Sequence, residues 1–335
     1  MFLISPKKLR KLGIIGMNQR NFGLVARYNP RRLYPLVDNK LKTKLLAQKA
    51  GITVPKLLGT LHYQHDVRKL EKLLAAYSQF VIKPVKGSGG KGILVISERD
   101  HNFYFKPSGD MISLLEIKRH VSNILSGLHS LGGKPDSVMI ESLIKLDPVF
   151  SGYSFEGVPD LRVIVLRGYP VMAMLRLATH ASDGKANLHQ GAVGVGIDIG
   201  TGKALHAVQF GKPVQRHPDT RKTFNDLSIP HWDKLLSLAA ACYEMTGLGY
   251  LGVDIVLDRD QGPMILELNA RPGLSIQIAN NAGLIPRVRM VEALSYIEPD
   301  PDSRVIFSKK FFSTIPDLQT STQTKHASAN DLALH

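Results

Sequence analysis

Apolar and polar positions recur along this chain with two periods. Residues 39–50 (NKLKTKLLAQKA) set Leu41, Leu45 and Leu46 at helical intervals, and Gly51 follows as a stop. A short helix is predicted over 66–76. A longer one, over 112–130, carries a stripe of Leu115, Val121, Ile124, Leu125 and Leu128. Residues 231–246 and 286–297 predict two more. Period-two or continuous apolar runs predict strands at 80–85 (FVIKPV), 92–97 (GILVIS) and 138–144 (VMIESLI). Three longer segments read as hairpins: 161–178, turning at Arg167-Gly168-Tyr169-Pro170; 193–210, turning at Gly200-Thr201-Gly202; and 252–269, turning at 259–262. The pattern predicts an α+β fold built on antiparallel hairpins rather than strict βαβ alternation. Residues 299–335, richest in Ser, Thr, Asp and Gln beyond 316, read as a disordered polar tail.

Composition narrows the classes. A chain of 335 residues suggests two domains or one composite fold. The single cysteine, Cys242, excludes an intrachain disulfide and a cysteine-based metal site. It lies in an apolar helix (LLSLAAACYEM) and reads as core. No run of 18 apolar residues occurs, and the opening MFLISPKKLRKLGIIGM is too short in its apolar part for a secretory signal, so a cytoplasmic location is expected. The net charge is +15, and the cations cluster over 7–44, where Asp38 is the only acid. Such a balance is compatible with nucleic acid, an anionic membrane surface or phosphorylated ligands. Phe22, Tyr28 and Tyr34 among the cations could stack on bases. No nucleic-acid-binding motif is present, and a nucleic-acid partner is not expected.

Two features carry chemistry. Gly87-Ser88-Gly89-Gly90-Lys91-Gly92 joins two predicted strands, with Lys83 in the first. A dinucleotide fingerprint needs a helix after the glycines, and a Walker loop needs Ser or Thr after Gly-Lys; neither follows here. Backbone N–H groups of such a loop can cover phosphates. Taken alone, it reads equally well as a surface hairpin. The second feature is more specific. Pairing 258 with 263 and counting outward sets Asp254 opposite Glu267, with Asn269 on the same face. Opposed carboxylates repel, so something should bridge them, and hard oxygen donors suit Mg²⁺.

Lys83-Pro84 ahead of a glycine loop, with Asp254 and Glu267-x-Asn269 far downstream, resembles the ATP-grasp superfamily. The resemblance is nearest to RimK-type and alpha-L-glutamate-ligase-like proteins and extends over about residues 38–298. It rests on six ordered segments: 38–55, FVIKPVKGSGGKGI (80–93), VMIESLI (138–144), PDLRVIV (159–165), NLHQGA (187–192) and 252–274. It implies a basic lead (1–37), one subdomain with the loop (38–137) and a second with the metal site (138–298). It further implies an ATP-dependent carboxylate–amine ligase working through an acyl-phosphate. Lys40, Lys83 and the loop Gly87, Ser88, Gly89, Gly90, Lys91 and Gly92 would hold ATP phosphates. Glu141, Ser142 and Leu143 would line the adenine, and Asp160 would lie near the ribose. Arg162, Arg176 and Asn187 would face the phosphoryl and the carboxylate substrate. Asp254, Glu267 and Asn269 would bind two Mg²⁺ ions, replaceable by Mn²⁺.

The implied partners are an amino acid such as glutamate or another carboxylate, and an amine acceptor, peptide and protein included. A membrane protein with a transglutaminase-like domain and a homo-oligomer are also implied. The sequence departs from the family at three places. The lead before Asp38 is short. Arg271 stands where a small residue is usual, and could bind a carboxylate, stabilise the phosphoryl or form a structural salt bridge. Val253 replaces the arginine of D-alanine ligases. The competing reading is a non-catalytic nucleotide sensor on the same fold. His180 and His189 read as structural or substrate-contacting rather than as metal ligands.

Overall fold

The computed structural model describes residues 5–87, 89–101, 103–130 and 133–314. In chain order, β1 (Leu57–Leu61), β2 (Phe80–Pro84), β3 (Leu94–Ile96), β4 (Glu98–Asp100), β5 (Phe103–Phe105), β6 (Met111–Ser113) and β7 (Val138–Glu141) build a first lobe. Its antiparallel sheet runs β1-β7-β2-β3, with β4-β5-β6 as a small separate ribbon. Alternation along β2 and β7 assigns the faces. Phe80, Ile82, Val138 and Ile140 enter the lobe's core, leaving Val81, Lys83, Met139 and Glu141 on the other face.

The helix Leu114–Leu125 covers the core face with Ile117, Val121, Ile124 and Leu125. It is shorter than predicted, and Leu115 and Leu128 are exposed. Ser113 and Glu116 form a capping box that sets its start. The subdomain boundary predicted at 138 also moves. Val138–Glu141 is the strand between β1 and β2, so the first lobe runs through Glu141.

The larger lobe holds β8 (Asp160–Leu166), β9 (Tyr169–Leu177), β10 (Val193–Ile197), β11 (Ala204–Gln209), β12 (Lys212–Pro213), β13 (Tyr250–Asp258) and β14 (Gly262–Asn269). The sheet order is β12-β11-β10-β9-β8-β13-β14, antiparallel throughout. All three predicted hairpins are present. The helix Trp232–Thr246 packs against β8, β9, β13 and β14 and buries Cys242, as expected of a core thiol. The predicted helix over 286–297 is realised as Ile285–Glu292.

Two terminal readings change. The basic lead is part of the large lobe: Ile15, Leu24, Val25 and Val37 join its core. Asn29 donates to the carbonyls of Tyr250 (2.7 Å) and Ala270 (2.8 Å). The tail predicted from 299 starts with a helix, Pro301–Phe312, capped by Asp300, which buries Arg304, Val305, Ser308 and Phe312. The Ser-, Thr- and Gln-rich stretch beyond 316 drew the predicted boundary too early, since 301–312 itself carries Val305, Ile306, Phe307, Phe311 and Phe312. The rest of the predicted tail, 315–335, lies outside the described residues.

Candidate functional site

The helix Lys40–Lys49 presents Lys40, Thr43 and Lys44 to a cleft between the lobes. Its buried residues are Thr43, Lys44 and Ala47, while Leu45, one of the predicted apolar contacts, is exposed. The apolar pattern therefore located the helix but named the wrong face. The cleft is lined further by Val54, Lys83, Met139, Glu141 and Glu267.

At its floor Glu141 is clamped between two lysines, with Lys44 Nζ and Lys83 Nζ each 2.6 Å from a carboxylate oxygen. Burial alone would raise the Glu141 carboxyl, but Lys83 and Lys44 together hold it below its ordinary range. Burial lowers the Lys44 ammonium against the pull of Glu141. Lys44 also donates to the Pro55 carbonyl. Sequence reasoning missed Lys44; its signal was the four-residue spacing from Lys40 on one helix face. Ser142, expected at an adenine edge, hydrogen-bonds Lys56 through its N–H (2.9 Å) and its hydroxyl (3.0 Å). Leu143 follows it beyond the end of β7.

The glycine loop closes one end. Lys40 Nζ donates to the Gly87 carbonyl at 2.6 Å. Gly89, Gly90 and Gly92 all have positive φ, and Lys91 is exposed. Ser88 lies outside the described residues. Behind the loop, His120 Nε2 is 3.0 Å from the Gly92 carbonyl, and its ring lies 5.7 Å from that of His129.

The paired acids meet the cleft beside the same Lys40, through a route the sequence did not reveal. The hairpin pairs Asp258 with Gly262, one residue out of the predicted register. A bulge at Leu266 restores the count, so Asp254 does lie opposite Glu267. The same irregularity lets the consecutive residues Ile265, Leu266 and Glu267 all line the cleft.

Cations rather than a second carboxylate approach Asp254. Arg162 grips it bidentately (Nε 2.7 Å, Nη2 2.6 Å), Arg176 Nη2 adds a contact at 2.9 Å, and Asn269 Nδ2 one at 3.3 Å. Burial would raise the Asp254 carboxyl, and the two guanidiniums reverse this and lower it. Asp160 belongs to this cluster through an ion pair with Arg176. Burial pushes it up to about 6, aided by the charge on Asp254 and opposed by Arg176. Glu267 is less engaged; Lys40 Nζ approaches at 3.4 Å.

Arg271 is exposed and lies over the Tyr34 ring at 5.3 Å, with no carboxylate partner among the described residues. The Asn187 side chain caps the turn Leu188–Gln190 by accepting from the His189 N–H at 3.0 Å. Among the described residues no group of three or more His, Cys, Asp or Glu is arranged to hold a metal.

Another missed residue is Arg20. It sits in a π-turn of the lead, Arg20–Val25, and donates to the Pro272 carbonyl at 3.2 Å. Its charge and that of Arg162 both act on the buried phenol of Tyr250, which burial raises well above its ordinary value. Sequence periodicity does not show the π-turn that places it.

A two-lobed antiparallel α+β architecture, with a lysine-lined cleft under a glycine loop, defines a nucleotide-grasping protein. The chain belongs to the sugar-transfer associated ATP-grasp family, whose model matches residues 19–293. It is 24% identical over 236 residues to a "Probable alpha-L-glutamate ligase" of Parasynechococcus marenigrum (strain WH8102), covering 70% of this chain and 36% of that protein. It is 24% identical over 263 residues to one of the same name from Thioalkalivibrio sulfidiphilus (strain HL-EbGR7), covering 78% and 63%. The chain thus spans less than two thirds of either relative. Among solved structures, D-cycloserine synthetase DcsG is similar with a TM-score of 0.45 and 17% identity, over 78% of this chain and 72% of that one.

Proposed function

We propose that the chain is an ATP- and Mg²⁺-dependent carboxylate–amine ligase that forms an amide bond through an acyl-phosphate. The carboxylate would be an amino acid such as glutamate, and the amine a peptide, protein or small amine. The observation that carries this reading is the convergence of Arg162 and Arg176 on Asp254, beside Glu267 and a lysine-lined cleft. ATP would supply the activating phosphoryl group, and Mg²⁺ would neutralise its charge.

Asp254, Glu267 and Asn269 suit Mg²⁺ in donor chemistry. Glu267 is partly exposed and engaged by one long contact, so its lone pairs are available. Asp254 would have to share its oxygens with guanidinium N–H groups. Lys40 and Lys83 would neutralise phosphates, with Glu141 holding Lys83 in place until then. Loop 87–92 would exclude water. Arg162 and Arg176 would orient the carboxylate substrate, and Arg271 would extend that anionic site at the rim. Asn187 would shape its loop, because its side-chain oxygen is already used in capping.

The test is amino-acid-dependent ADP release, screened across the twenty amino acids with candidate amines, with mass spectrometry of the product. Glu267→Ala is expected to lower turnover by on the order of a thousandfold or more while leaving the fold intact. Undiminished turnover would refute the metal assignment, and nucleotide binding without turnover in the wild type would favour a sensor.

A further inference from the structure

The helix Pro6–Lys11 has no buried residue, yet four of its six positions are cationic: Lys7, Lys8, Arg10 and Lys11. None of the four has an acidic partner among the described residues. Directly after them the chain is pinned. Ile285 N–H donates to the Gly13 carbonyl at 3.0 Å. Gln277 holds both backbone groups of Ile15, at 2.8 and 3.1 Å. Gly13 also lies so close to Pro286 that an added Cβ would stand 2.7 Å from its ring.

On either side of this anchor large apolar side chains face water: Leu12 is 56% exposed, Met17 65% and Phe22 77%. Met17 opens the helical turn Met17–Gln19 and Phe22 lies in the turn that follows it, Arg20–Val25, so both come within nine residues of the anchored Gly13. Arg289 and Met290 follow Pro286 by three and four residues, so they share the helix face that meets Gly13. Both are exposed. Unpaired cations and exposed apolar side chains thus flank one anchored point of the chain, and none of them lines the cleft.

We propose that this surface docks on an anionic lipid bilayer. Lys7, Lys8, Arg10, Lys11 and Arg289 would meet the headgroups, and Leu12, Met17, Phe22 and Met290 would enter the headgroup–acyl boundary. A nucleic acid or an acidic polypeptide would use the cations but gain little from the apolar side chains. The bilayer uses both. Met1-Phe2-Leu3-Ile4, which precede the helix in sequence, are all apolar as well.

The test is co-sedimentation of the full chain with phosphatidylcholine vesicles containing about 30% phosphatidylglycerol, against phosphatidylcholine alone. Binding is expected only to the anionic vesicles, weakening as salt rises. The quadruple variant Lys7→Gln, Lys8→Gln, Arg10→Gln, Lys11→Gln should lose affinity by on the order of a thousandfold. The double variant Met17→Ser, Phe22→Ser should lose about tenfold with every charge retained. No sedimentation with anionic vesicles, or equal sedimentation with both kinds, would overturn the proposal. So would wild-type binding by the Met17/Phe22 variant, or tighter binding to poly-uridylate or polyglutamate than to vesicles. The lipid and salt comparisons use the wild-type chain and do not depend on any variant folding.

Discussion

Asp160 and Asp254 share one face of the large sheet, yet their surroundings drive them in opposite directions. Two arginines reach Asp254 and lower it; Asp160 has one, with the Asp254 charge nearby, and burial raises it to about 6. Between roughly pH 4 and 6 the folded protein therefore keeps a proton on Asp160 that the unfolded chain releases. The stability contributed by that proton is fully present below about pH 4 and is lost as pH rises through 6. Wild type minus Asp160→Asn stability, from urea unfolding, should fall by about 2 to 3 kcal/mol from pH 4 to pH 6.5. A difference independent of pH would place Asp160 in an ordinary carboxyl environment. Individual residue types in the site were legible, since acids and arginines flanked by apolar strand residues had to be buried. Their partners were not: that Arg162 grips Asp254 follows from the β8–β13 register, which joins segments 92 residues apart.

The glycine loop shows how one element assigns different tasks to its glycines. An added Cβ at Gly89 or Gly90 meets nothing within 4 Å, whereas at Gly92 it would stand 2.6 Å from the His129 ring. All three have positive φ. Gly89→Ala or Gly90→Ala should cost about 1 to 2 kcal/mol, the conformational penalty alone. Gly92→Ala should cost about 2 to 4 kcal/mol, since it adds a collision inside the lobe. Urea midpoints of the three variants would separate these cases, and equal losses would show that His129 yields freely. At this scale the sequence was most legible where period two repeats over a long hairpin. It failed for the ribbon β4-β5-β6, whose strands are three residues each and too short to display a period. It also missed the bulge at Leu266, which composition cannot signal because any residue can occupy it.

In the whole molecule, elements distant in sequence are closed by polar residues that periodicity treats as surface. Arg304 is fully buried. It donates to the carbonyls of Gly168 (3.1 Å), Glu298 (2.7 Å) and Pro299 (3.2 Å) and to the Glu244 carboxylate (2.8 Å). Arg304→Ala leaves those acceptors unpaired and opens a cavity, and should destabilise the protein by about 3 to 5 kcal/mol. Thermal unfolding would check it, and a loss below about 1 kcal/mol would mean that water replaces the guanidinium.

The lead is attached in a similar way, by Asn29 to Tyr250 and by Ile15 to Gln277, across 221 and 262 residues. On the ribosome this has a temporal meaning. At about 5 to 20 residues per second, the lead leaves the exit tunnel on the order of ten to fifty seconds before its partners are made. The sheet of the first lobe, confined to residues 57–141, can assemble during that wait. Tyr250 and Ala270, to which Asn29 is bonded, do not exist until the segment that follows Thr246 has been synthesised. The nascent chain therefore passes through an interval in which the apolar side chains of the lead lack these late partners and lie beside a dense positive charge, and in that interval a chaperone would find its site.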